Sequence, residues 1–247
     1  MNFRHATYSA VLACSALMMA QPALAAEPRA VIELFTSQGC SSCPAADRLL
    51  GELARDPSLV TMSLAVDYWD YLGWKDTLAL HDHSSRERAY ANARGDREVY
   101  TPQVVVNGIA QALGSDKAAI ERAIAHTRRA AAPLLLPVTL SVADNTVTAS
   151  VSAATDGNRT GEVWLCPITS KVSIAIERGE NHGRSLTYYN VVRRRVKLGD
   201  WTGQAESFSV PLADVAANDI DSFAVVVQSG VAAKPGLMLG AAVAAAR

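Results

Sequence analysis

The chain of 247 residues reads as an α/β domain over residues 26–132 joined to an all-β, sandwich-like domain over 133–247. The first half alternates apolar β-branched runs with segments of helical spacing, and the second holds only short strand patterns. The stretch Arg128 to Pro137 (RRAAAPLLLP) marks the change. Hydrophobic residues make up 49% and charged residues 19%, which suits a buried core and excludes a disordered chain. A formal charge of −1 leaves no general field for nucleic acid.

Ala30 to Thr36 (AVIELFT) is apolar and β-branched enough for a buried strand, and Cys40-Ser41-Ser42-Cys43-Pro44 follows at once. From Ala45 to Arg55, Leu49, Leu50 and Leu53 recur at helical spacing. Leu59 to Val66 is a second buried strand. A helix is expected from Ser84, with Glu87 as capping-box partner and Gly95 as its stop. Val104 to Val106 gives a third strand, and Asn107-Gly108 signals a hairpin to a fourth. Ser115 can cap a last helix, whose Ala119, Ile120, Ala123 and Ile124 share one face. Beyond residue 137, seven or so short strands follow, from Val138 to Val142 through Phe223 to Gln228.

Residues 1–25 read as a secretory signal peptide. Arg4 and His5 precede an apolar run, Ala10 to Ala20, and Ala23-Leu24-Ala25 fits a small-x-small cleavage site. That run is too short to span a bilayer, and no later segment has an uncharged apolar run long enough to be transmembrane. The expectation is an exported protein, periplasmic or secreted, without stable membrane insertion. Cys40, Cys43 and Cys166 then lie in an oxidising compartment, where the first two are close enough to pair. Asn158-Arg159-Thr160 fits a glycosylation sequon, a pattern too common to carry weight.

A C-x-x-C between a strand and a helix is the arrangement that disulfide exchange requires. The helix N-terminus offers unpaired N–H groups and a partial positive charge to a thiolate. Pro44 is harmless in the first turn, where its missing N–H had no partner. Structural zinc needs two more ligands, and no second C-x-x-C supplies them. Thr101-Pro102, before the third strand, falls where a cis proline would face the dithiol and turn the Thr101 backbone toward Cys40.

With these residues in view, the sequence resembles the thioredoxin superfamily and, more narrowly, the secreted bacterial family called domain of unknown function 1223. The resembling segments are Val31 to Leu49, Val66 to Lys75, Tyr100 to Gly108 and Arg178 to Arg193. The resemblance implies a thioredoxin-like α/β fold for the N-terminal domain and a dithiol site. It departs from typical thioredoxins in Ser37-Gln38-Gly39 before the first cysteine and in Ser-Ser between the two. It also places Glu33 where thioredoxins keep a buried acid behind the dithiol, able to take the proton from Cys43.

Tyr68, Trp69, Tyr71 and Trp74 concentrate four aromatics after the second strand, as core packing or as an apolar lip to the site. His81-Asp82-His83 reads as a solvated pair of imidazoles. Cys166 reads as a buried inert thiol, and Arg193-Arg194-Arg195 as an exposed edge.

The expected function is a thiol–disulfide oxidoreductase needing no organic cofactor or metal. Cys40 is the nucleophile, Cys43 resolves the mixed disulfide, and Thr101, Pro102 and Glu33 assist. Its partners would be protein or small thiol and disulfide substrates, with a membrane electron donor for any reductase role. Ser41 and Ser42 carry no charge, so the potential should lie nearer ~−270 mV than the ~−120 mV of a strong oxidant, favouring a reductase or isomerase. Two alternatives stand beside this: a binding module whose disulfide is structural, and a metal-handling protein using Cys40, Cys43 and His81 or His83.

Overall fold

A computed structural model describes residues 28–131, 133–155 and 159–246. The expected signal peptide and Asn158 of the sequon lie outside the described residues. Strands β1 (Ala30–Thr36) and β2 (Leu59–Ala65) pair in parallel, and every residue of both is buried. Burial on both faces explains why they read as continuous apolar runs. Helix α1 (Cys43–Leu53) connects them. Helix α2 (His81–Arg94) follows, and then the antiparallel pair β3 (Gln103–Val106) and β4 (Ala110–Leu113), with β3 on the free edge of β1. Asn107 and Gly108 take φ of 52° and 77°, the left-handed pair that the hairpin signal calls for. The Asn107 side chain also accepts the Val31 N–H at 2.8 Å and donates to Thr127 on α3 (Lys117–Ala131) at 2.8 Å.

Alternation along β1 sorts the two faces of the sheet. Ala30, Ile32 and Leu34 pack with Leu49, Leu50, Ile120 and Ile124 beneath α1 and α3. Val31 and Phe35 point the other way, where α2 lays Tyr90 across them. Helix α2 begins three residues earlier than the capping-box pattern implies. Ser84 lies inside its first turn and donates to Asp67 instead, while Glu87 accepts the Tyr68 hydroxyl. Gly95 ends the helix at φ 83°, as expected.

The remaining strands are β5 (Val138–Ala143), β6 (Thr146–Val151), β7 (Gly161–Ala175), β8 (Ser185–Val192), β9 (Val196–Trp201), β10 (Glu206–Pro211), β11 (Ser222–Val231) and β12 (Lys234–Ala245), with a short α4 (Leu212–Val215). They do not form a separate sandwich. One nine-stranded mixed sheet runs β12-β11-β7-β8-β2-β1-β3-β4, with β9 beside β7, and β10-β6-β5 forms a second sheet. The expectation of a thioredoxin-like α/β domain followed by an independent all-β domain is therefore corrected. The physical reason lies in β2, an apolar strand whose second edge would otherwise be open. Strand β8 closes it in parallel, with Ser63 opposite Val191. Strand β7 is 15 residues long, so its first half carries β9 and β11 while its second half carries β8. The three-stranded sheet buries Val147, Ala149 and Val151 against Val163, Leu165, Phe223 and Val225 of the large one.

Of the three arginines expected at an exposed edge, Arg194 is exposed and Arg193 half-buried, but Arg195 departs from that expectation. The Arg195 side chain, 5% exposed, lies over the Trp164 ring, 4.5 Å from its centroid, and pairs with Asp82 of α2 at 2.8 Å. No helix among the described residues is long and apolar enough to cross a membrane.

Glu33 joins the two halves. Its carboxylate accepts from Arg86 Nε at 2.6 Å and Nη2 at 3.0 Å, and from the Tyr90 hydroxyl at 2.5 Å. Gln228 of β11 completes the group, accepting from Arg86 and donating to Tyr90. Glu33 and Arg86 are both buried, so neither charge has water to fall back on. Glu33→Gln should leave the guanidinium uncompensated and cost about 3–5 kcal/mol in urea unfolding.

Candidate functional site

Cys40 follows the end of β1 and Cys43 opens α1, and the two are joined by a disulfide with Cα atoms 5.4 Å apart. Four segments converge on this bond. The first is the C-x-x-C turn itself, where Ser42 Oγ lies 3.3 Å from Cys40 Sγ. A disulfide sulfur has no hydrogen, so the hydroxyl is the donor. The second is the loop before β3: the Thr101–Pro102 bond is cis, and the Thr101 carbonyl oxygen lies 3.7 Å from Cys40 Sγ.

The third is the aromatic segment after β2. Trp69 Nε1 donates to Thr101 Oγ1 at 2.8 Å, and Trp74 Nε1 to Gln38 Oε1 at 2.7 Å. A Cβ on Gly39 would come within 3.0 Å of the Trp69 Cβ, so glycine permits this close approach. The segment therefore positions the site backbone as well as packing on the core, and Tyr71 stays 79% exposed. The fourth is the loop between β7 and β8. Asn181, fully buried, donates to the carbonyls of Gln38 at 2.9 Å and Cys40 at 3.0 Å. Its neighbour Glu180 accepts the Ser41 N–H at 3.2 Å.

Of the residues singled out in the sequence, Cys40, Cys43, Thr101 and Pro102 come together here. Glu33 does not. It sits at an odd position of β1, on the face opposite α1, and its carboxylate is committed to Arg86. Exposed His81 pairs with half-buried Asp67, and His83 is buried with Nδ1 2.9 Å from the Ala65 carbonyl. Among the described residues no group of three His, Cys, Asp or Glu side chains is placed to hold a metal. Cys166 is free and buried, its thiol pushed up to about 11 by burial.

The family described as "Protein of unknown function (DUF1223)" matches residues 31–228, which include all four segments of the site. The chain belongs to this family. A crystal structure of a protein from Agrobacterium tumefaciens is 30% identical, with a TM-score of 0.80 over 89% of this chain and 95% of that one. No curated protein matches the chain.

Sequence reasoning missed three groups in this DUF1223 site. Asp47 lies four residues after Cys43 on the same buried face of α1, a spacing visible in the sequence. Asn181 and Glu180 lie about 140 residues beyond the dithiol and carry no local signal of their own. Asp47 accepts the Thr36 hydroxyl at 2.8 Å through one oxygen, while the other has no partner. Burial pushes its carboxyl up to about 8, against the pull of Thr36, with nearby Asp76 adding to the rise. Burial likewise raises Asp76 to about 6, although it accepts the Gln38 and Leu78 N–H groups. Glu87, beneath Tyr68 and the Tyr100 N–H, is raised to about 7 by burial.

These shifts have a consequence for stability. A carboxyl whose folded pKa exceeds its unfolded one favours the fold most when protonated, and that contribution is lost as pH rises through the folded value. His83, pushed down to about 4 by burial, acts in the opposite sense only below its ordinary 6.5. From pH 6.5 to about 8, urea-unfolding stability should therefore fall by roughly 2–3 kcal/mol as Asp47 and Glu87 ionise. Asp47→Asn should flatten that slope.

Proposed function

We propose that this protein is a thiol–disulfide oxidoreductase acting through Cys40 and Cys43. The observation that carries the reading is the juxtaposition at one disulfide of a helix start, the Thr101 carbonyl and a buried acid one turn along α1. In the reduced protein the Cys40 thiolate attacks a substrate disulfide, forms a mixed disulfide and expels one substrate thiolate. Cys43 then gives up its proton and attacks Cys40 Sγ. The Cys40–Cys43 bond forms, the second substrate thiolate leaves, and two electrons have passed to the substrate. Asp47, in its ionised form, is the buried carboxyl suited to take the Cys43 proton, since a pKa of about 8 lies near that of an ordinary thiol. An external dithiol donor restores the reduced state; in an exported protein that donor is fed from the membrane. Substrates are protein or small-molecule disulfides that reach Cys40 past Ser41 and Ser42, both exposed.

One observation favours a second reading. Cys40 is 1% and Cys43 0% exposed in the oxidised form, as suits a structural staple. Reduction in the native state separates the two. On the proposed reading, glutathione buffers reduce the disulfide reversibly, Cys40→Ser abolishes exchange, and Cys43→Ser accumulates mixed disulfides through Cys40. A disulfide that resists dithiothreitol until the protein unfolds would establish the staple instead.

A further inference from the structure

We infer that Glu180, carried by the loop between β7 and β8, holds the Cys40 thiol less acidic than the helix start alone would make it, and so biases the site toward reduction of substrates. The inference rests on the exchange reading above and deepens it by naming the group that sets its direction. The first N–H groups of a helix and of the turn before it have no intrahelical acceptor, and they stabilise a thiolate placed beside them. Here the Ser41 N–H, inside the C-x-x-C turn, already donates to a carboxylate oxygen of Glu180 at 3.2 Å. That bond takes up a donor next to the nucleophile and adds a negative charge there. The Thr101 carbonyl oxygen, 3.7 Å from Cys40 Sγ, acts in the same sense. Both effects disfavour the thiolate and therefore the reduced protein.

The charged groups with a placed partner on the packed elements do not reverse this sign. Arg184, on the same loop, directs its guanidinium to Asn181 Oδ1 at 2.7 Å, and only the Asn181 amide reaches the Cys40 carbonyl. On α1, Asp47 is a neutral carboxyl below about 8, and Arg48 is exposed. Asp76, in the segment after β2, is raised to about 6, so at neutral pH it adds further negative charge. Glu180 is held in register by its neighbour, since buried Asn181 clamps the backbone of residues 38 and 40.

Thiolate absorbance against pH, recorded on the reduced protein, tests this without any exchange partner. Glu180→Gln keeps an oxygen acceptor for Ser41 and removes the charge. It should make Cys40 two- to fivefold more acidic, on the order expected for an exposed charge, with the difference shrinking in high salt. In a glutathione titration the equilibrium should move by the same factor toward the dithiol, about 10–20 mV at 29.6 mV per tenfold. Glu180→Asp should stay close to the parent, and Glu206→Gln, an exposed change on β10, should match it. A Glu180→Gln protein whose Cys40 titrates as the parent does overturns the inference, even where exchange activity is present. A shifted titration in a protein that exchanges with no disulfide leaves Glu180 as the group that sets thiol acidity and overturns the oxidoreductase reading instead.

Discussion

A carboxylate and a guanidinium shut away from water must find each other, and in this protein the Glu33–Arg86 pair organises both halves of the chain. Glu33 is fixed on β1, so Arg86 draws α2 across that face of the sheet, and Gln228 ties β11 to the same group. Once α2 is in place, the rest of the site is constrained. Its Glu87 holds Tyr68, and Trp69 next to it reaches Thr101, whose carbonyl meets Cys40. The buried ion pair thus fixes one arrangement of α2 and β11 on β1.

The dithiol itself is placed by two independent supports. Strand β1 and helix α1 set its position from within the first half, through the buried faces of Ile32, Leu34, Leu49 and Leu50. The loop between β7 and β8 reaches it from the second half and satisfies the polar backbone of residues 38 to 41. That loop can do so because β8 closes the edge of β2, and Tyr189 of β8 packs so tightly on α1 that a Cβ on Gly51 would lie 2.5 Å from its ring. The placement of a disulfide at the end of one strand therefore depends on a strand pairing more than 100 residues away.

Three carboxyls around the site, Asp47, Asp76 and Glu87, are raised by burial to about 8, 6 and 7. Each lacks a cationic partner of the kind that Glu33 has in Arg86, and each is held by hydroxyl or backbone N–H donors instead. A group poised near neutrality can hold or release a proton at little cost, whereas a committed ion pair cannot. Glu33 is in that sense a structural acid, whereas Asp47 is left without a charged partner and near neutrality.

Local patterns in the sequence determined a good deal: the C-x-x-C between strand and helix, the buried runs of β1 and β2, the Asn107-Gly108 turn, and the proline before β3. Each depends on residues within a turn or a strand of one another, where backbone geometry alone links identity to conformation. The face on which Glu33 lies, the helix start that displaced the Ser84 capping box, and the joining of both halves into one sheet were decided only by the fold. A period-two pattern says that alternate residues diverge, but not which face the next helix will cover. Likewise, the open edge of β2 requires a partner without saying which later strand will supply it. Asn181 and Glu180 are polar residues in a loop, and nothing local distinguishes them from solvated ones. Their role exists only because β8 brings that loop over the turn that precedes α1, where unpaired backbone donors and acceptors were waiting.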